Sequence, residues 1–384
     1  MTKATVGWTV RLALKIATGI LYILTLLAAY GGYFNPEWWT LPAIGVLFFP
    51  YFAMATLIVA ACWLFCRKLI IGCVGIGVLL ACGPTFTSAL PFRFPNKASD
   101  PEKTFKMVTY NCLHFIDFEN PDSIGVTYGV PEPKKRKQYG PENFNRSLHF
   151  LIHCDADFIC LQELYDFLPE EVPAKYRPQI DSLFRIYPYR SKDPWREVEF
   201  LSKIPFRQVE VKLEDDMKYG SCTAYRLNID GNPLTVVNVH LSSFGLSTGE
   251  RNIITEAGNQ QGLKTSIKEF EGSVYHKMQN AFEERARVSK AVADYAASVK
   301  GNVIVCGDFN DVPGSWTYRT FIKKGFEDAY AQTGMGHLIT YNQHMMWFHI
   351  DQILFKGELV PLYVRKERLG TSDHYPLIAE FEFI

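Results

Sequence analysis

The sequence lacks an excess of either charge: its 384 residues carry 40 basic and 40 acidic side chains. Without a basic surplus it makes a poor general trap for nucleic acid, whose affinity rests on Lys and Arg neutralising phosphates. CxxC pairs and Cys/His pairs at zinc spacing are also missing, which removes the common structural zinc sites. No segment repeats at a fixed period, which excludes solenoids and propellers. Cysteine is present, nine in all, but a disulfide framework is not. Cys62, Cys66, Cys73 and Cys82 lie in apolar stretches near the N-terminus. Cys112, Cys154, Cys160, Cys222 and Cys306 follow, an odd number, several in strand-like runs where a thiol behaves as a small hydrophobe. That usage argues mildly against an oxidising compartment.

Charge is missing locally as well. Residues 1–92 hold Lys3, Arg11, Lys15, Arg67 and Lys68 against Glu37 alone, which leaves 35 basic and 39 acidic residues for the rest. Ile16–Pro36, Trp38–Cys66 and Leu69–Phe92 contain no charged residue. Each can hold the ~20 apolar residues that cross a bilayer core, so three transmembrane helices are expected. Tyr33, Trp38 and Trp39 stand where interfacial aromatics belong. Three successive runs, with no clear small-residue cleavage site after Tyr30, speak against a signal peptide. Lys3, Arg11 and Lys15 precede the first run, and Arg67-Lys68 separates the second from the third. The positive-inside rule then places the N-terminus inside and the C-terminal domain outside the cytoplasm. Arg93 and Lys97 run against this weakly, because long translocated domains override such charges. The expected organisation is an anchor over 1–92, a polar, Pro-containing linker over 93–104 and a domain over 105–384.

The domain reads as short apolar runs rich in β-branched and aromatic residues: 106–111, 157–163, 234–240, 302–310, 349–355 and 376–383. Helical spacing covers Tyr275–Ser298 and Asn143–Cys154, and a third helix is expected after Pro313. Asp117–Gly140, with the basic run Lys134–Lys137, and Phe244–Ser273 read as insertions, most simply solvated surface loops. Trp195, Trp316 and Trp347 are expected in the core.

Unusual polar residues close these runs. Asn111 ends the first, Glu163 the second, His240 the third, and Asp308 and Asn310 the fourth. Asp351 starts the fifth, and Ser372-Asp373-His374 precedes the sixth. In an antiparallel sheet one strand starts at the edge where its neighbour ends, so all six can converge on one rim. The strings TYN, LQE, NVHL, GDFN, IDQI and SDHYP, in this order, resemble the endonuclease/exonuclease/phosphatase superfamily over roughly 104–384. GDFN followed by SDH is the specific part. The resemblance suggests a membrane-anchored, bacterial-type member. It implies an α+β fold: a two-sheet β-sandwich flanked by helices (α/β/β/α), here preceded by three transmembrane helices.

It further implies hydrolysis of a phosphoester with Mg²⁺ or Mn²⁺. Such a reaction needs a hard cation to offset phosphoryl charge, and Mg²⁺ takes oxygen ligands and keeps several waters. By resemblance, Glu163 is the principal metal carboxylate, with Asn111 and Asp373 beside the metal. His374 is the base, oriented by Asp351. Asp308 orients the nucleophile or handles a proton, Asn310 donates to a phosphate oxygen, and His240 contacts the phosphate and protonates the leaving group. The carboxylate partner of His240 is either Glu197 or Glu199. His349 stands where family members often have Arg. His153, His276, His337 and His344 match no motif.

Two functions of different class are open. One is a phosphodiesterase or phosphatase acting on nucleic acid, a phospholipid headgroup or a soluble ester. The other is an inactive membrane-anchored binding module, against which the intact set of motifs argues. Residues 1–92 make the bilayer a partner, nucleic acid is admissible, and no protein partner is evident.

Overall fold

The computed structural model describes residues 3–113, 141–164, 174–191, 197–211, 221–246, 274–343 and 346–384. The insertion Asp117–Gly140 with its basic run, residues 247–273, Trp195 and His344 lie outside them.

The N-terminal apolar quarter begins with α1 (Lys3–Tyr30). With the turn that follows, it forms one helix over Gly7–Tyr33 that is long and apolar enough to cross a membrane. The other two expected spans are not single helices. Trp38–Cys66 folds as α2 (Leu41–Leu47) and α3 (Phe49–Phe65), bent by 63°, and Leu69–Phe92 as α4 (Leu69–Ala81) and α5 (Gly83–Ala89), bent by 77°. The described residues therefore hold one continuous helix of spanning length, or up to three spans if each bent pair is one span. Hydropathy measures the length of an apolar run but not its continuity. Pro42, Pro50 and Pro84 sit in the first turns of α2, α3 and α5, where the missing N–H suits a helix start and not a helix middle.

Fourteen strands and five further helices follow among the described residues. The strands are β1 (Thr104–Asn111), β2 (Phe158–Gln162), β3 (Tyr189–Arg190), β4 (Val198–Ser202), β5 (Phe206–Glu210), β6 (Ser221–Ile229), β7 (Asn232–His240), β8 (Asn302–Asp308), β9 (Glu327–Asp328), β10 (Tyr341–Gln343), β11 (Met346–Phe348), β12 (Asp351–Lys356), β13 (Leu359–Lys366) and β14 (Leu377–Phe383). The helices are α6 (Pro141–His153), α7 (Arg177–Ile186), α8 (Tyr275–Ser298), α9 (Trp316–Ile322) and α10 (Ala329–Thr333).

One sheet runs β13-β14-β1-β2-β4-β3 and the other β5-β6-β7-β8-β12-β9. This is the expected α+β sandwich, but its sheets are mixed. Each has one parallel pair near its middle, β1 with β2 and β7 with β8, and antiparallel neighbours outside. The inner faces meet through Phe105, Phe158, Phe200, Tyr225, Val236, Ile304 and Phe381. The outer face of the first sheet is covered by α6 and α7 through Phe144, Leu148, Leu151 and Leu183. The second is covered by α8 and α9 through Val288, Val292 and Phe321. Central strands buried on both faces read as unbroken apolar runs, which is why VIVCG and FICLQ stand out in the sequence. Cys160 on β2 and Cys306 on β8 meet between the sheets, Sγ to Sγ 3.4 Å.

Residues 93–103 lie along the first sheet. Asn96 N–H donates to Leu362 O at 2.7 Å, and Ser99 and Asp100 N–H donate to the Glu382 carboxylate.

Candidate active site

Two parallel pairs, one in each sheet, end at the same rim. In the second sheet His240 lies level with Asp308, and Asp308 lies opposite Asp351. In the first, Asn111 lies level with Gln162, and Glu163 follows with φ 54°. Asn310, two residues past β8, has φ 49°. Left-handed backbone at two non-glycine strand ends is local strain held by the surrounding structure, a feature that clusters at functional sites. Gly307 is dictated by contact: at φ 135°, a Cβ there would lie 2.0 Å from Val239 O on the neighbouring strand. Only glycine lets β7 and β8 close up at the rim.

The side chains form one hydrogen-bonded group. Asn111 Nδ2 donates to Glu163 Oε1 at 3.0 Å and to Asp308 Oδ2 at 2.9 Å, which joins the two sheets. Asn111 Oδ1 accepts from Leu113 N–H. His240 Nδ1 lies 3.1 Å from Glu197 Oε2, while its Nε2 faces Glu163 Oε1 at 3.6 Å and Asp308 Oδ2 at 3.9 Å. His374 Nδ1 lies 2.9 Å from Asp351 Oδ2, with Nε2 3.6 Å from Asp308 Oδ2. Asp308 therefore sits between two imidazoles, each held by a carboxylate on its far side. Asn310 N–H caps Asp308 Oδ1 at 2.8 Å, and Asn310 Nδ2 spends one hydrogen on Leu241 O. Asp373 lines the same cavity as Glu163, Asp308, Asn310 and His374. All eight residues singled out by sequence thus reach one rim.

Burial and charge set the protonation. Burial alone would hold the His240 imidazolium down, but the Glu197 hydrogen bond and the charges of Glu163 and Asp308 outweigh it, lifting the group to about 9. Burial likewise opposes a charged His374, and Asp351 with Asp308 reverses it and holds the ring well above the usual histidine range. Burial raises Asp308 to about 6, with His374 and His240 pulling down and Asp351 pushing up.

Two groups have the makings of a cation site: Glu163, His240 and Asp308, and Asp308, Asp351 and His374. In each, the potential ligand atoms lie within 4.8 Å of one another. His240 Nε2 is buried without a hydrogen-bond partner and points at two carboxylates. The oxygen-rich part of the set, Glu163 and Asp308 around Asn111, fits a hard divalent ion. Asn111 as placed turns its nitrogen to the carboxylates, so ligation through Oδ1 requires its amide to flip.

Several supporting residues are not singled out by the sequence. Gln162 Nε2 donates to Thr109 Oγ1 at 3.0 Å and to Asn238 Oδ1 at 2.7 Å. Asn238 Nδ2 in turn donates to Leu161 O and Glu199 O. This buried amide pair ties the sheets together beneath the rim. Thr340 Oγ1 accepts from Ile350 and Asp351 N–H, and Ser372 Oγ accepts from His374 N–H while donating to Asn111 O. Arg285 is fully buried between the Phe244 and Phe282 rings, donates to Ser242 O at 2.6 Å and lies 3.8 Å from Asp311. The available signal was polar residues inside otherwise apolar runs, as Gln162 and Asn238 are.

Several other described histidines and tryptophans pack against neighbours away from the rim. His349 is buried edge-on to Tyr330. His337 meets Trp347 O, and His153 meets His149 O. His276 is edge-on to Tyr275. Trp316 is half-buried under Lys323, and Trp347 is 41% exposed, not in the core as expected.

Comparison with known proteins follows the same division of the chain. The profile of the Endonuclease/Exonuclease/phosphatase family matches residues 108–374, and a domain of unknown function, DUF8431, matches residues 11–88. No curated protein matches the chain. Among solved structures, the human Nocturnin catalytic domain with bound sulfate anion is 15% identical, covering 73% of this chain and 95% of that one, with a TM-score of 0.46. D. rerio TDP2 complexed with single strand DNA product is 12% identical over 73% and 99%, with a TM-score of 0.45. An endonuclease/exonuclease/phosphatase from Beutenbergia cavernae is 13% identical over 73% and 72%, with a TM-score of 0.44.

Proposed function

The chain belongs to the Endonuclease/Exonuclease/phosphatase family, and on that premise we propose that it hydrolyses a phosphoester with the help of Mg²⁺ or Mn²⁺, from a domain held at a membrane. One observation carries the reading: His240 and His374 flank the single carboxylate of Asp308, each backed by its own carboxylate, Glu197 or Asp351. Members of this family are typically metal-dependent phosphoesterases.

In this reading Glu163, with Asn111 and Asp373, holds the cation. A divalent ion there supplies positive charge against the phosphoryl oxygens. The carboxylate of Asp351 fixes the His374 ring with Nε2 towards Asp308. Asp351 and Asp308 favour its charged form, the positive charge of a bound divalent ion would favour the neutral ring, and the neutral ring takes the proton of an attacking water. Asp308 positions that water or relays its proton. Asn310 keeps a second amide hydrogen for a phosphate oxygen. His240, charged beside Glu197, contacts the phosphate and can protonate the leaving oxygen.

The membrane part of the proposal is three spans: Gly7–Tyr33 and the two bent pairs each counted as one. Arg67 and Lys68 lie inside, residues 93–384 outside. Exposed Trp38 and Trp39 at the domain-facing end support it.

The test is hydrolysis of bis(p-nitrophenyl) phosphate and p-nitrophenyl phosphate by the full chain. Activity is expected with Mg²⁺ or Mn²⁺, abolished by EDTA and severely reduced in Glu163→Gln with unchanged thermal unfolding. A fully active Glu163→Gln would remove that residue from the site. Inertness towards both esters would favour the binding-module alternative. Protease added to intact cells should digest the domain, and digestion only after lysis would reverse the orientation.

A further inference from the structure

The cavity over the catalytic rim has two unlike walls. One carries Glu163, Asp308, Asn310, Asp373 and His374. The other is apolar and is made by Phe244, Leu246, Met346, Phe348, Ile350 and Leu47. Leu47 comes from α2, the short arm of a bent helix pair in the N-terminal apolar region.

This arm lies between α1 and the domain, with Pro42 and Val46 close against Gly31. Ala43, Val46 and Leu47 are buried against Val274, Met278, Phe282 and Phe348 of the domain. Tyr51 on α3 donates to Trp347 O at 2.9 Å. A second contact joins the two regions elsewhere. The Arg319 guanidinium lies 3.8 Å over the Tyr33 ring and donates to Thr85 Oγ1 at 2.6 Å. Gly32 is so close to the domain that a Cβ would lie 1.9 Å from Gly314 O. The N-terminal helices and the domain are thus joined at two places. Around the junction Tyr33, Phe34, Trp38 and Trp39 stand exposed, Trp38 at 87%, as aromatics do at the level of lipid headgroups.

A water-soluble ester has no use for a hydrocarbon wall borrowed from a membrane segment. A phosphoester joined to a hydrocarbon chain does, because its phosphate and its chain are neighbours, as are the two walls. Resting on the phosphoesterase reading above, we infer that the substrate is the phosphoester of a membrane amphiphile, whose chain lies along Leu47, Phe244 and Phe348 while its phosphate meets the catalytic rim. The anchor is then part of the binding site and not a tether. In the reaction the oxygen of water bonds to phosphorus. The ester P–O bond breaks with its electron pair on the leaving oxygen. One water proton passes to His374, and the leaving oxygen takes a proton from His240.

The experiment uses the full chain in detergent and alkyl p-nitrophenyl phosphates that share one leaving group and differ in chain: methyl, butyl and octyl. The expected result is a kcat/KM that rises about fourfold for each methylene entering the groove. Leu47→Ala should lower the octyl-to-methyl ratio about tenfold, and Leu246→Ala serves the same purpose if Leu47→Ala unfolds. Equal kcat/KM along the series, or a ratio that neither variant changes, overturns the inference while leaving the phosphoesterase reading standing. So does a nucleoside p-nitrophenyl phosphate that outruns the octyl ester, which would assign the groove to a nucleotide. Release of p-nitrophenol from no member overturns this inference, and the phosphoesterase reading falls with it only if p-nitrophenyl phosphate is inert as well.

Discussion

His374 and Asp351 lie 2.9 Å apart, both buried, at the start of different strands. Groups that act as a unit give non-additive losses. His374→Ala is expected to lower kcat on bis(p-nitrophenyl) phosphate by about 10²–10⁴, and Asp351→Asn by less. The double variant should be little worse than His374→Ala, whereas multiplicative losses would mean that the two act separately. His349 makes a different prediction. Burial, with His337 adding, holds its imidazole down to about 3. The unfolded chain takes up a proton near pH 6.5 and the folded chain does not, so this site's stability is complete above pH 6.5 and drains as pH falls towards 3. At pH 5 the loss is about 2 kcal/mol. His349→Phe should therefore flatten the fall in Tm between pH 7 and 5; an unchanged slope would mean that His349 stays solvated. At this scale the sequence exposes residues whose chemistry is out of place at a strand end, which is why Glu163, Asp308 and His374 are legible. It does not separate Glu197 from Glu199. A strand's period of two gives both the same facing, and only the fold shows that Glu197, the residue before β4, is the one that reaches His240.

The six strands read from sequence lie inside the sandwich, where burial on both faces makes unbroken apolar runs; β4 and β6 are interior too, but Glu199, Arg226 and Asn228 interrupt their apolar pattern. Edge and rim strands such as β3, β5, β9 and β11 are short or half-exposed, and their patterns fade into loop composition. The expectation of a common rim is met by a different construction: two parallel pairs ending together, with β12 antiparallel to β8. That construction depends on Gly307. Gly307→Ala forces a Cβ against Val239 O and a strained φ, costing about 2–4 kcal/mol. Denaturant unfolding should register the loss, and activity should fall further than stability, because β7 and β8 carry His240 and Asp308. A variant as stable as the parent would mean that the strands part without cost. The bends at Phe48 and Cys82 escape a hydropathy reading for the reason that makes them useful. Proline at a helix start leaves the composition apolar while turning the chain, and the turn brings Leu47 to the cavity.

Across the whole molecule, the N-terminal helices cover an apolar face of the domain that includes Met278, Phe282, Val312 and Phe348. A chain lacking residues 1–92 would expose that face, and exposed patches of this kind drive association. Such a truncation is expected to self-associate in size-exclusion chromatography and to be restored to a monomer by detergent. A monodisperse, detergent-free monomer would show that the contact is dispensable. The meeting of Cys160 and Cys306 between the sheets has a consequence of another kind. Both sulfurs are fully buried, and burial pushes the Cys160 thiol up, away from its reactive anion. An alkylating reagent can reach them only when the two sheets separate, so the rate at which these two thiols are labelled is a clock for the opening of the sandwich. The protein carries its own unfolding probe at the centre of its core, with no dye or tag to be introduced.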